Sequence, residues 1–162
     1  MENIERILDW MQEKKQLFLL YEIETKKLQV SEEEAIDQLQ EALSVREELI
    51  GKINEIDKNI QEIFMQTQDG EVLKDVCQNR INYEETPIQY RPLYQVGQEI
   101  FQIIARIQQE DTFASTQMQD LMQKLQNRIK QNKQASRVSG YVKSMNYGSS
   151  SMNTGFLLNK KR

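Results

Sequence analysis

The stretch that determines the fold class is residues 49–63, LIGKINEIDKNIQEI. Its apolar side chains recur at alternating intervals of four and three residues. Because an α-helix completes a turn in about 3.6 residues, these intervals place the side chains along one seam, as in a coiled coil. A helix with one apolar seam covers it with other helices, so the stretch predicts a helical bundle. The seam residues are Leu49, Ile53, Ile56, Ile60 and Ile63.

The residues before this stretch predict an earlier helix and the start of the second one. Apolar side chains over residues 4–28 follow a period of three and four, which indicates a first helix of about 27 residues. The apolar density at residues 17–21 predicts its buried middle. Ser31 and Glu34 have the spacing of a capping box, so we expect the second helix to begin there. Asp69-Gly70 is typical of its end.

The chain after Gly70 predicts a short helix, a loop and a third long helix. Residues 71–81 carry one short helical face, and the two prolines indicate a loop over residues 83–91. An apolar pattern then extends over residues 96–129, with a polar interruption at 108–111 that we expect to shift the register of the seam. Past Lys133 the helical pattern ends.

We therefore predict an all-α protein: an antiparallel bundle of three long helices plus a short connecting helix, followed by a flexible basic C-terminal tail. The bundle is assigned to residues 1–133 and the tail to residues 134–162. The tail is rich in Gly, Ser and Asn, and such a composition does not bury enough surface to offset the entropy of ordering it.

Acidic and basic residues are distributed unevenly along the chain. Residues 121–162 contain nine Lys and Arg and no Asp or Glu, a formal charge of +9. The preceding residues hold the other twelve Lys and Arg and all 25 acids, a formal charge of −13. A basic arm on an acidic body is typical of a segment that contacts a partner.

Missing residue types argue against an enzyme. The chain has no histidine, which removes the commonest proton shuttle near pH 7 and every Ser-His-Asp or Cys-His pairing. Its glycines do not form a phosphate-binding loop. The lone Cys77, beside Leu73 and Val76, is interpreted as a structural thiol. We expect no catalytic residues, no cofactor and no metal site.

The sequence is also informative about compartment. Its first residues lack the basic and apolar regions of a signal sequence, and no apolar run approaches the roughly 20 residues of a membrane span. A single cysteine suits a reducing compartment. We expect a cytoplasmic protein without membrane insertion.

Three classes of partner are considered for the basic arm: nucleic acid, a membrane and a protein helix. Nucleic acid is disfavoured because the basic residues are sparse and the acidic body repels a polyanion. A membrane is disfavoured because the Gly and Ser content opposes an amphipathic helix. Capture of a protein helix fits best. The predicted client-binding residues are Met118, Leu121, Met122, Leu125 and Ile129, and the predicted tail contacts are Tyr141, Val142, Phe156, Leu157 and Leu158.

Four segments carry a resemblance to a known family. They are KKQL at 14–17, REELIGKINEID at 46–57, SGY at 139–141 and TGFLLNKK at 154–161. Together they resemble the FlgN and FliT-type flagellar export chaperones, especially those of Gram-positive bacteria. Asn159 departs from the family's ending, where an acidic residue is commoner.

The resemblance implies a small cytoplasmic helical bundle that binds hook-associated or filament-cap axial proteins. Such a chaperone prevents premature assembly of its client and delivers it to the type III export gate, and its C-terminal region binds the client. The helix-three stripe from Met118 to Ile129 is then expected to bind the client's terminal helix. Tyr141 and residues 156–158 are expected to contact the export machinery or to lock the free state. A helical coiled-coil scaffold and a polyanion-binding protein acting through the basic tail remain alternatives.

Overall fold

The computed structural model describes residues 1–29 and 36–140, with side chains only as far as Ser136. No strand occurs among these residues, so the predicted all-α class is confirmed. The elements are α1 (Glu2–Lys26), α2 (Ile36–Gln66), α3 (Gly70–Cys77), a 3-10 turn (Ile88–Tyr90) and α4 (Arg91–Gly140). By compactness the chain divides into two units, Met1–Leu121 and Met122–Arg162.

In the first unit each long helix reverses the direction of the one before it, as predicted. Helices α1 and α2 pack closest and are antiparallel, α2 and α4 are antiparallel, and α1 and α4 therefore run parallel. The side-chain contacts that establish these directions are Lys14–Asp57 for α1 with α2, Arg46–Asp111 for α2 with α4, and Lys15–Glu99 and Glu22–Arg106 for α1 with α4. At the helix ends, Asn3 contacts Thr67, one residue after α2, and Asp69 contacts Tyr90 of the 3-10 turn before α4.

The main hydrophobic core lies where the first turns of α1 and α4 meet the end of α2. The seam of residues 49–63 supplies its centre, with Ile56, Ile60 and Ile63 all buried. Leu93 and Val76 are completely buried beside them. The remaining buried members are Ile7, Met11, Phe64, Leu73, Tyr90, Val96 and Ile100.

Helix α3 ends in a cap that contacts α4. Asn79 adopts a left-handed conformation with φ 53°, and its side-chain amide donates to the Tyr94 carbonyl of α4 at 2.9 Å. The carbonyl of Cys77 lies so close to Gly97 that a Cβ on residue 97 would overlap it. A residue without a side chain is therefore required for α3 to dock.

The short helix and the loop are confirmed, and the start of α2 falls outside the described residues. Leu73 and Val76 form the buried face of α3, as residues 71–81 predicted. The loop over 83–91 contains the 3-10 turn, and Pro92 lies in the first turn of α4, where a missing N–H breaks no helical hydrogen bond. The predicted capping box at Ser31 is among the undescribed residues.

The buried middle of α1 was predicted wrongly. Leu17 and Phe18 are half-buried and Leu20 is 50% exposed, whereas Glu22 and Thr25 are buried. A side chain of α1 is buried when it faces the neighbouring helices, whether or not it is apolar. Glu22 and Thr25 face them, and both make hydrogen bonds there. Thr25 donates to the Tyr21 carbonyl at 2.8 Å.

The expected register shift in α4 was also wrong. Ile107, Ala114 and Leu121 are all buried and lie seven residues apart, so the heptad register continues through the polar interruption. The alternate seam positions hold the half-buried Glu110 and Gln117. A hydrogen bond from Gln29 to Glu110 helps to keep this polar position in the seam.

Helix α4 ends seven residues beyond the predicted end at Lys133. The prediction relied on the loss of apolar periodicity after Ile129. A helix that has already formed needs only residues that propagate it, and no Gly or Pro interrupts the chain between Gly97 and Gly140.

Candidate functional site

The five residues predicted to bind a client lie on α4 and divide between the two units. Met118, half-buried, and Leu121, only 8% exposed, belong to the first unit. Met122, Leu125 and Ile129 are half-buried and belong to the second. We call these last three residues the α4 stripe. The predicted tail contacts Tyr141, Val142, Phe156, Leu157 and Leu158 lie outside the described residues.

The α4 stripe occupies one face of its helix. At about 100° of rotation per residue, its three side chains fall within about 60° of one another. Neither of the two core clusters among the described residues includes them. The stripe is therefore narrow, aliphatic and suited to pack against a single helix.

The segment that carries the stripe is basic. Lys124, Lys130 and Lys133 are exposed on α4. No Asp or Glu follows Asp120 in the chain. Any partner of the stripe therefore meets positive charge at its edges.

A polar layer replaces the hydrophobic core farther along the first unit. Arg46 occupies the seam of α2, four residues after buried Ala42 and three before buried Leu49. Its guanidinium donates two hydrogen bonds to the Asp111 carboxylate, at 2.8 and 3.2 Å, and a third to the Tyr21 hydroxyl. The Arg46 Nε is buried without a hydrogen-bond partner.

A second ion pair links α1 to α4 beside this layer. Arg106 donates to the two oxygens of Glu22 at 2.7 and 3.2 Å. This hydrogen bonding raises the pKa of Arg106 above its ordinary value, so the guanidinium keeps its charge at any physiological pH. The small residues Ala42 and Ala114 fill the seam nearby with Leu28. Polar contacts and small side chains therefore hold α4 here together with buried aliphatic residues such as Ile107.

Sequence reasoning missed this layer, although a signal for it was present. Extending the seam of residues 49–63 backwards by one heptad places Arg46 and Ala42 on the same line as Leu49 and Ile53. A charged residue in a seam indicates a charged partner on a facing helix. Nothing in the spacing identified that partner as Asp111, which lies 65 residues away.

A groove of about 530 Å³ opens in the first unit between α2 and α4. Met11 and Ile60 contribute to its apolar lining, and Phe101, 49% exposed, lies at its surface. Lys14 and Asp57 in the same groove form a salt bridge of 2.6 Å. Cys77 lines it as well.

Burial of the Cys77 thiol makes the stability of the protein fall at alkaline pH. Burial raises the pKa of Cys77 to about 12 from 9.0, and the charge of Lys14 opposes that rise only in part. The folded protein thus keeps a proton that the unfolded chain loses. Stability from this group is complete below about pH 9 and is lost as the pH rises toward 12.

We expect this dependence to disappear in Cys77→Ser. The unfolding free energy of the natural protein relative to the variant should be constant up to about pH 8 and should fall by on the order of 1 kcal/mol per pH unit above pH 9. Urea titrations of both proteins at pH 8 and 10 measure the difference, and Lys and Tyr ionisation cancels between them. An identical difference at the two pH values would contradict the burial of this thiol.

Residues 1–29 and 36–140 contain no group of three or more His, Cys, Asp or Glu side chains placed to hold a metal ion. Within the same residues, no helix has the length and apolar character that crossing a membrane requires.

Comparison with known proteins gave no match: no family model, no curated protein and no solved structure is similar to this chain.

Proposed function

We propose that this protein is a flagellar export chaperone. It binds a hook-associated or filament-cap axial protein in the cytoplasm, prevents its premature assembly and delivers it to the type III export apparatus. The observation that carries the proposal is the α4 stripe, a narrow apolar face on a basic helix outside both core clusters of the described residues. The motifs at residues 14–17, 46–57, 139–141 and 154–161, which resemble the FlgN and FliT-type chaperones, supply the client class.

The proposed mechanism is occupation of an assembly surface. Proteins that polymerise through coiled-coil segments do so by burying a stripe of side chains at i, i+3 and i+7. Met122, Leu125 and Ile129 present the same spacing, so α4 would pair with the client's terminal helix in place of the next subunit. Capture of this kind is a binding equilibrium and needs no nucleotide or metal.

The proposal also gives roles to neighbouring residues. Met118 would offer a further apolar contact of its own in the first unit, and Leu121, already buried there, would support the helix. Tyr141, Val142 and residues 156–158 would contact components of the export gate or hold the free protein closed.

Substitution of the stripe tests the proposal. In Leu125→Asp with Ile129→Asp, we expect affinity for the client to fall by at least about 100-fold, because each change removes roughly 1.5 to 3 kcal/mol of apolar burial. The full-length chain is mixed with each hook-associated protein and with the cap protein of the same genome, and affinity is measured by calorimetry. Gln126→Asp is the matched control, since it adds a charge at an exposed position of the same turn.

The outcomes separate the candidate functions. A stoichiometric complex with one axial protein that is lost in the double variant but retained in Gln126→Asp supports the proposal. Failure of every axial protein to bind would overturn it. Sedimentation of the free chain as an oligomer would then favour the coiled-coil scaffold, and salt-sensitive binding to DNA would favour the polyanion binder.

A further inference from the structure

The charge of the second half of α4 is unusual for an exposed helix. Residues 122–140 contain five basic side chains and no acidic one. Solvent-exposed helices usually offset their lysines with glutamate three or four residues away, because like charges at that spacing destabilise the helix. Lys133 instead has Lys130 three residues before it and Arg137 four residues after it. Lys130 and Lys133 therefore repel each other, and an acidic partner beside them would relieve that repulsion.

The helix dipole does not account for this charge. Basic residues near a helix C-terminus interact favourably with its dipole, but the effect is confined to the last turn. With α4 ending at Gly140, only Arg137 lies in that turn. Lys130 lies about two turns earlier, beyond its range, whereas Lys124 has Asp120 four residues before it to offset its charge.

The basic residues border the α4 stripe. At about 100° per residue, Lys133 falls about 20° beyond the Met122 edge of the stripe, and Arg128 falls about 60° beyond the Leu125 edge. These are the places that e and g residues occupy beside a coiled-coil seam, where charge selects the partner. A narrow apolar stripe between two basic edges is the complement of an acidic amphipathic helix.

We propose that the α4 stripe recognises an amphipathic helix whose apolar face is flanked by Asp or Glu. The inference rests on the proposed function and deepens it, since it specifies the chemistry of the client segment. Charge adds chiefly specificity and association rate to the apolar contact. The first unit, with its formal charge of −13, repels such a helix and leaves the basic segment as the place where it binds.

Two other occupants fit the segment less well. Pairing of the segment with the same segment of a second copy would set lysine beside lysine and is disfavoured by like-charge repulsion. A membrane surface calls for a broad apolar face rich in Trp, Phe and Leu. The stripe offers only Met122, Leu125 and Ile129, which match the width of one helix.

Two designed helical peptides test the inference. Both carry the same Leu and Ile seam, and the flanking positions are Glu in one and Lys in the other. We expect the full-length protein to bind the Glu peptide roughly tenfold more tightly than the Lys peptide at 50 mM salt, with the preference shrinking at 300 mM as charges are screened. Fluorescence anisotropy of the labelled peptides measures both affinities.

Charge reversal supplies the decisive variant. Arg128→Glu with Lys133→Glu should invert the preference, so that the Lys peptide binds more tightly. Lys26→Glu with Lys58→Glu is the matched control, because it makes the same change in net charge at exposed positions of the first unit and should leave the preference unchanged. Circular dichroism confirms that each variant keeps its helix content.

Every outcome decides the inference. Equal affinity for the two peptides, or equal effects of the two double variants, would overturn it. Tighter binding to vesicles of phosphatidylcholine with one-third phosphatidylserine, or self-association that the Glu peptide disrupts, would assign the stripe to a lipid surface or to a second copy. If axial proteins bind but charge reversal does not weaken them, the proposed function stands and the inference fails. If the Glu peptide binds and no axial protein does, the inference stands and the proposed function fails.

Discussion

Replacing Gly97 by alanine is expected to lower the free energy of unfolding by about 3 kcal/mol. A Cβ at position 97 would overlap the backbone carbonyl of Cys77, and backbone at the end of α3 has little freedom to move away. The hydrogen bond from Asn79 to the Tyr94 carbonyl holds the same junction and would be strained with it. Thermal and urea unfolding measure the loss.

Gly51→Ala is the matched control, with the opposite sign. Gly51 lies on the exposed side of α2, and a Cβ there meets no atom within 4 Å. Alanine restricts the unfolded chain more than glycine does, so the change should raise stability by up to about 1 kcal/mol. Equal effects of the two substitutions would show that α3 does not dock on α4 through Gly97.

Replacing Asp111 by alanine is expected to cost about 2 kcal/mol. The change removes the carboxylate that neutralises Arg46, whose side chain is only 13% exposed in the seam. A buried pair that loses one member typically costs 3 to 5 kcal/mol, and the 41% exposure of Asp111 reduces that figure through solvent screening. Hydrogen exchange should show that amides around residue 111 lose protection before those of the apolar core around Leu93.

Two further variants test whether loss of the Arg46–Asp111 pair is what destabilises Asp111→Ala. Asp120→Ala removes an exposed carboxylate from the same helix and should change stability by less than about 0.5 kcal/mol. Arg46→Leu with Asp111→Leu replaces the pair by apolar side chains and should restore natural stability or exceed it. A loss in Asp120→Ala as large as in Asp111→Ala would mean that general charge balance, and not the Arg46 contact, is responsible.

These two predictions describe a bundle whose halves are held in different ways. Around Leu93 and Val76, α4 is held by aliphatic burial and by the docked α3. Around Asp111 it is held by ion pairs and by small side chains such as Ala114. Ion pairs of partly exposed groups are weakened by salt, so we expect α4 around Asp111 to open more readily than α4 around Leu93.

Local periodicity was sufficient to identify the helices and the face on which the candidate site lies. Met122, Leu125 and Ile129 recur at helical spacing, and this pattern is a property of neighbouring residues. The same reasoning failed at residues 17–21, where apolar density was taken for burial. Composition reports how apolar a stretch is, whereas the covered face depends on which helices pack there.

Local sequence alone therefore accounts for the all-α class, the three long helices and the separation of an acidic body from a basic end. Each follows from propensity, periodicity or formal charge, all of which act over a few residues. Only the tertiary structure decided that Arg46 meets Asp111 and that Glu22 meets Arg106, because these partners are 65 and 84 residues apart. It also decided that Gly97 must lack a side chain, since the carbonyl that excludes one comes from another helix.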